Sequence, residues 1–273
     1  MNCCIEKKVF IIIIDTHCHL DTEQYYDDVD EVILRALENG IKGFLIPGAD
    51  FADLPQAIKL AQKYKEVFFS VGIHPYDASS YDENVMKEYV NHPKCIAIGE
   101  CGLDYFRLPE NEDEKLQEKQ LQKEVFISQV EFAKKVKKPL IVHVREASND
   151  SKEILEKYGA KDVGGVLHCY NASEHLLSLS EHNFYFGIGG VLTFKNAKKL
   201  VEVLPKIPLE KLLIETDAPY LTPHPNRGKR NEPLYTKFVS QKISELLNIS
   251  DEEVQNLTTN NAKKLFKEFS SII

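Results

Sequence analysis

At 273 residues, with 43% apolar and 28% charged side chains, the chain has the composition of a soluble globular protein and the length of a single α/β barrel. A formal net charge of -8 excludes a protein that coats nucleic acid through a broadly basic surface, because phosphate neutralisation needs clustered lysine and arginine; any phosphate contact must be local. Six cysteines with no Cys-x-x-Cys pair exclude a disulfide or zinc-finger framework and suit a reducing compartment, the cytoplasm.

The chain opens with residues 1–8, a short extension with no readable role, and then a run of β-branched residues, Val9 to Ile14, that predicts a strand buried on both faces. Lys7 and Lys8 before this run do not make a signal peptide, since the run is short and meets Asp15 at once. A helix is expected over 28–39 with Gly40 as its C-terminal cap, then a second strand over 43–46 and a helix over 52–64. The third strand is read over 67–71, with a helix near 83–90, and the fourth over 95–99. A charged stretch at 108–119 leads into a helix that turns Leu121, Val125, Val130 and Ala133 inward. Strands over 140–144, 164–167, 184–188 and 212–215 alternate with helices over 148–158, 172–181, 197–204 and 234–247. Two short helices, 251–256 and 260–269, close the chain.

Eight βα units with no linker between them predict one (β/α)8 TIM barrel over 9–273, with an open doubly wound sheet as the structural alternative. A barrel places its chemistry at the C-terminal ends of its strands, and polar residues concentrate there. His17 and His19 follow the first strand, Glu100 the fourth, His143 the fifth, His168 the sixth and Asp217 the eighth. His17 and His19 sit two apart and so point the same way, whereas Cys18 between them faces the opposite side. Imidazole with carboxylate suits zinc, manganese or a comparable divalent ion, and one carboxylate can bridge two ions. An open sheet would spread these strand ends too far apart to share a site, which favours closure. The competing reading is a buried polar network without metal, but uncompensated buried carboxylates are costly.

These residues lie in a set of motifs that resembles the TatD family, within the metal-dependent hydrolase superfamily of TIM barrels. The motifs are Asp-Thr-His-Cys-His-Leu-Asp at 15–21, Ile-Gly-Glu-Cys-Gly-Leu-Asp-Tyr at 98–105, His-Val-Arg-Glu-Ala at 143–147, His-Cys-Tyr at 168–170 and Glu-Thr-Asp-Ala-Pro-Tyr-Leu-Thr-Pro at 215–223. The likeness runs from about residue 12 to 269. It implies that His17, His19, Glu100 and Asp217 hold one divalent ion (Zn, Mn or Mg), and that Glu100, His143 and His168 hold a second, with Glu100 as the bridge. Two departures are the N-terminal extension and Tyr170, where the family more often has phenylalanine.

The expected activity is hydrolysis of DNA phosphodiester bonds by water activated between the ions, with Asp217 as general base and Glu100 beside it, most simply as a 3′ to 5′ exonuclease on single strands. Hydrolysis of a small amide, lactone or ester is the alternative within enzymes, and a non-catalytic nucleic-acid-binding or scaffold barrel the alternative outside them. Arg227, Lys229 and Arg230 after the eighth strand, Arg145 two residues past His143, His74 at the third strand end and Tyr105 after the Glu100 segment are the candidate substrate contacts. Phe106, Tyr170 and Phe194 are further aromatics near strand ends, and Cys18, Cys101 and Cys169 are read as small buried hydrophobes rather than ligands.

Overall fold

The computed structural model describes residues 12–273. The 1–8 extension and residues Val9 to Ile11 of the expected first strand lie outside the described residues. Within them, β1 Ile13–Asp15, β2 Ile41–Ile46, β3 Val67–Val71, β4 Cys95–Asp104, β5 Leu140–Arg145, β6 Gly165–Leu167, β7 Phe184–Ile188 and β8 Leu212–Ile214 pair in parallel, in sequence order. The first and last strands then meet. The backbone N–H and hydroxyl of Thr16 both donate to the Ile214 carbonyl, Asp217 N–H donates to His17 O, and His19 N–H donates to Ala218 O. Those bonds draw the sheet into the expected (β/α)8 barrel, because an open sheet would leave its two edges unpaired.

Helices α1 Val29–Glu38, α2 Leu54–Lys63, α3 Glu83–Tyr89, α4 Glu112–Val136, α5 Ser148–Lys157, α6 Lys198–Val203, α7 Thr236–Leu247 and α8 Asp251–Leu265 connect or follow the strands. In α1 the buried residues Val29, Val32, Ile33 and Ala36 fall on one helical face. α4 is capped by the Asn111 side chain, which accepts from the N–H groups of Asp113 and Glu114, with acids in its first turn and lysines in its last.

Three elements differ from the sequence reading. The sixth unit carries a 3₁₀ segment over Glu174–His182 instead of an α-helix, and its buried Leu176 and Leu179 are spaced for a three-residue repeat. The expected break near residue 257 is absent and α8 runs through it. There Thr258 donates to Val254 O, Thr259 to Ile12 O, and Asn261 to Leu209 O and Leu212 O, so residues that weaken an isolated helix are bound within this one. β4 is also longer than expected, and its register with β5 shifts between Ile98 and Cys101. Glu100 sits in that irregularity, where its N–H donates to Gly48 O while Gly48 N–H donates to Gly99 O.

The lower interior, at the N-terminal ends of the strands, is apolar. Side chains from every strand, Ile14, Leu45, Phe68, Ile96, Ile141, Val166, Tyr185 and Leu213 among them, meet Phe266 and Phe269 from the C-terminal end of the chain. Gly43 makes room for this plug: a Cβ there would lie 2.7 Å from the Phe269 ring. The remaining buried apolar residues pack between sheet and helices. No helix among the described residues is long and apolar enough to cross a membrane.

Candidate metal centre

The upper interior is where the histidines and carboxylates meet. His17 and His19 leave the end of β1 on the same side; their Nε2 atoms are 3.2 Å apart. The His17 Nε2 lies 3.3 Å from Glu100 Oε2 and 3.7 Å from Asp217 Oδ1, and the His19 Nε2 lies 3.7 Å and 3.5 Å from the same two oxygens. Donor atoms bound to one tetrahedral ion at about 2.1 Å stand roughly 3.4 Å from one another, close to the spacing that the two histidines keep with each other and with Glu100 and Asp217. The other oxygen of Glu100 faces a second set. Its Oε1 is 3.0 Å from His143 Nδ1 and 2.9 Å from His168 Nε2, and those two nitrogens are 3.0 Å apart. Two ring nitrogens at that distance with a carboxylate oxygen between them have lone pairs converging on one point, the arrangement of a ligand set.

The six expected ligands therefore come together, three of them, His17, Glu100 and His168, fully or almost fully buried and Glu100 shared between the two sets. The donor groups overlap: His17, Glu100 and His168; His17, His19 and Asp217; His74, Glu100 and His143. No cysteine belongs to them. Cys18 and Cys101 are fully buried in the core as strand alternation requires, whereas Cys169 is only half-buried and borders a cavity of about 220 Å³ between the loops after β6 and β7.

Charge follows from this packing. Burial opposes ionisation of Glu100, but the His168 and His17 imidazoles and hydrogen bonds with His143 and His168 outweigh it and hold the carboxyl well below its usual range. Asp217 is also held down: burial is overcome by its bond with His19 and by the neighbouring imidazoles. Burial, and then the adjacent His168, lower the pKa of His17, which keeps its ring neutral and able to coordinate. His143 and His168 titrate higher than free histidine, since their carboxylate partners more than offset burial.

Three carboxylates behind the ligands escaped the sequence reading. Asp104 Oδ2 is 2.8 Å from His143 Nε2; as an ionised acceptor it fixes the proton on that nitrogen and leaves Nδ1 turned toward Glu100. Glu215 accepts from the Cys169 N–H and stands 3.7 Å from His168 Nδ1. Gly187 clears its space, since a Cβ there would fall 2.2 Å from Glu215 Oε2. Asp15 accepts from the N–H and hydroxyl of Thr216 and ties β1 to the segment bearing Asp217. Asp104 and Glu215 were open to the same alternation used for His17 and His19, being four residues from Glu100 and two from Asp217. The Asp217 backbone itself holds φ +57, which turns its carboxylate in from the loop after β8.

The expected substrate contacts divide. His74 enters the cluster, its Nε2 3.6 Å from Glu100 Oε1, and burial lowers its pKa to about 3. Arg145, Arg227 and Lys229 are exposed near strand ends. Arg230 is not free for substrate: it makes a two-pronged ion pair with Asp28 at 2.8 Å and 2.6 Å. Tyr105 is likewise committed, its hydroxyl donating to Asp150.

The family model described as TatD related DNase matches residues 14–267. The uncharacterized metal-dependent hydrolase YabD of Bacillus subtilis (strain 168) is 44% identical over 260 residues, covering 94% of this chain and 99% of its own. The 3′-5′ ssDNA/RNA exonuclease TatD of Salmonella typhimurium is 34% identical over 263 residues, covering 93% and 98%. The crystal structure of YJJV, a TatD homologue from Escherichia coli K12, superposes with a TM-score of 0.85 at 26% identity, covering 94% of this chain and 99% of that one.

Proposed function

We propose that this chain, which belongs to the TatD family of metal-dependent hydrolases, cleaves phosphodiester bonds of DNA, as a 3′ to 5′ exonuclease on single strands. The observation that carries the reading is the division of Glu100, one oxygen toward His17 and His19 and the other toward His143 and His168. That division suits two divalent ions, Zn, Mn or Mg, with Glu100 as their bridge. Ions held there would supply Lewis acidity, making water a better nucleophile at neutral pH and offsetting charge on phosphoryl oxygens.

The protein's own groups supply the rest. Asp217, ionised and aimed into the cluster, accepts the proton of the attacking water as general base. Asp104 holds the His143 ring in one tautomer and orientation. Arg227 and Lys229, on the loop after β8, supply N–H donors for the phosphates of the strand, at the position where barrels commonly hold phosphate. The 3′ to 5′ polarity and the single-strand preference draw support from the name of the Salmonella relative and from a barrel mouth that admits a chain end more easily than a duplex. We also assign the protein to the cytoplasm, which the free thiols of Cys18, Cys95, Cys101 and Cys169 support.

The test is digestion of 5′-labelled and 3′-labelled single strands with Mn²⁺, Mg²⁺ or Zn²⁺. Label at the 3′ end should leave at once as mononucleotide, while label at the 5′ end passes through a descending ladder. Wild-type protein that releases no nucleotide with any of the three ions, or an Asp217→Asn variant as active as wild type, overturns the reading.

A further inference from the structure

The sequence holds five arginines, and they fall into two groups. Arg35 and Arg230 each form a two-pronged ion pair, with Glu232 and Asp28 respectively. Arg107, Arg145 and Arg227 have no carboxylate within ion-pairing distance among the described residues, and each lies instead over an aromatic ring. In a chain with a net charge of -8 three of the five guanidinium groups thus stand without a carboxylate partner; Arg107 follows β4, Arg145 ends β5 and Arg227 lies in the loop after β8. The closest stack is Arg145 on Phe106, with the guanidinium carbon 3.6 Å from the ring centroid. Arg107 lies 5.5 Å from the centroid of Tyr76 nearby.

A packing role alone does not account for this pair. Phe106 keeps 50% of its surface exposed and Tyr76 38%, although a cover of apolar side chains could have buried both. Glu146 follows Arg145 directly, yet its backbone takes φ +54 and it lines a separate hollow with Ser148 and Asp150. The rings are also tied to the candidate metal centre. The Phe106 N–H donates to Asp104 Oδ1, and the other oxygen of Asp104 accepts from His143. The Tyr76 ring meets His74 edge-on, with centroids 4.9 Å apart.

Resting on the phosphodiesterase reading above, we infer that Phe106 and Arg145, with Tyr76 and Arg107 beside them, form a stacking platform for an unpaired nucleobase of the substrate strand. An aromatic ring backed by a guanidinium offers one flat face to a base, while the N–H edges of the arginine remain for a phosphate. A paired base in a duplex has both faces covered by its neighbours, so the platform selects single strands. Because a base presents a π-face whatever its identity, the platform is indifferent to sequence.

The experiment compares wild type, Phe106→Ala and Phe106→Trp on two 12-residue strands, oligothymidylate and an abasic strand of the same length. Binding is read by fluorescence anisotropy in EDTA, and KM and kcat by hydrolysis with Mn²⁺. Phe106→Ala should weaken binding and raise KM on oligothymidylate by about tenfold, with kcat moving far less, while Phe106→Trp behaves as wild type. On the abasic strand the three proteins should be equal. Equal losses by Phe106→Ala on both strands would make the residue structural and overturn the platform, as would no loss on either. Wild type that neither binds nor cleaves oligothymidylate would instead overturn the nuclease reading itself.

Discussion

The inside of the barrel holds two chemically opposite regions one above the other, built from the same eight strands. In the lower one Ile14, Phe68, Ile141 and Leu213 meet Phe266 and Phe269 in a buried apolar cluster. In the upper one His17, Glu100, His168 and Glu215 are as deeply buried but almost entirely polar. Burial of apolar surface lowers the free energy of the fold, while burial of carboxylates and imidazoles raises it unless each finds a partner. The lower region is thus where the barrel gains stability. The upper one gives stability up for a set of converging donor atoms.

Substitutions that act on one region and spare the other test that division. The largest effect is expected for Glu100→Gln, which removes the oxygen charge shared by both donor sets. Hydrolysis should fall about a thousandfold or more, with loss of bound metal by elemental analysis. A lowered midpoint with metal content intact would mean that Glu100 holds the fold rather than ions. Next comes Phe269→Ala at the foot of the barrel. Emptying that plug should cost about 3–5 kcal/mol of unfolding free energy and leave the metal content of the folded protein unchanged.

The smallest effect belongs to a pair outside both regions, Arg230 with Asp28. The hydrogen bond and charge of Arg230 hold the Asp28 carboxyl below the usual range of an aspartate. A carboxyl depressed in the folded state stabilises at pH values above its unfolded pKa, and that contribution vanishes as pH falls through the folded one. Arg230→Gln should therefore cost less than about 1 kcal/mol at pH 7, and the gap from wild type should close below about pH 4. Urea unfolding at pH 7, 5 and 3 measures it; a gap that widens in acid would contradict the assignment.

Much of this division was legible in the sequence. Alternation along a strand placed His17 and His19 together and Cys18 behind them, and the eight apolar runs fixed the barrel that gathers His143, His168 and Asp217. What escaped depended on partners far along the chain. Glu100 is turned inward by an irregularity in the middle of β4, braced on Gly48, where the apolar run alone suggested a strand that simply ends. The withdrawal of Arg230 depends on Asp28, 202 residues earlier. The continuity of α8 depends on tertiary acceptors for Thr259 and Asn261 that no local propensity contains.

The closure of the barrel has a consequence in time as well as in space. The bonds that join its first and last strands are made by the segments bearing His17, His19 and Asp217, with Asp15 gripping Thr216 across 201 positions. A ribosome must therefore carry the chain past Asp217, and free enough of the strand-eight segment for it to pair with the first, before the donor set exists at all. Until then the emerging polypeptide has its histidines but no site. Whatever reaction the barrel performs is switched on only after strand eight has been made, and no fragment released before it could perform that reaction unattended.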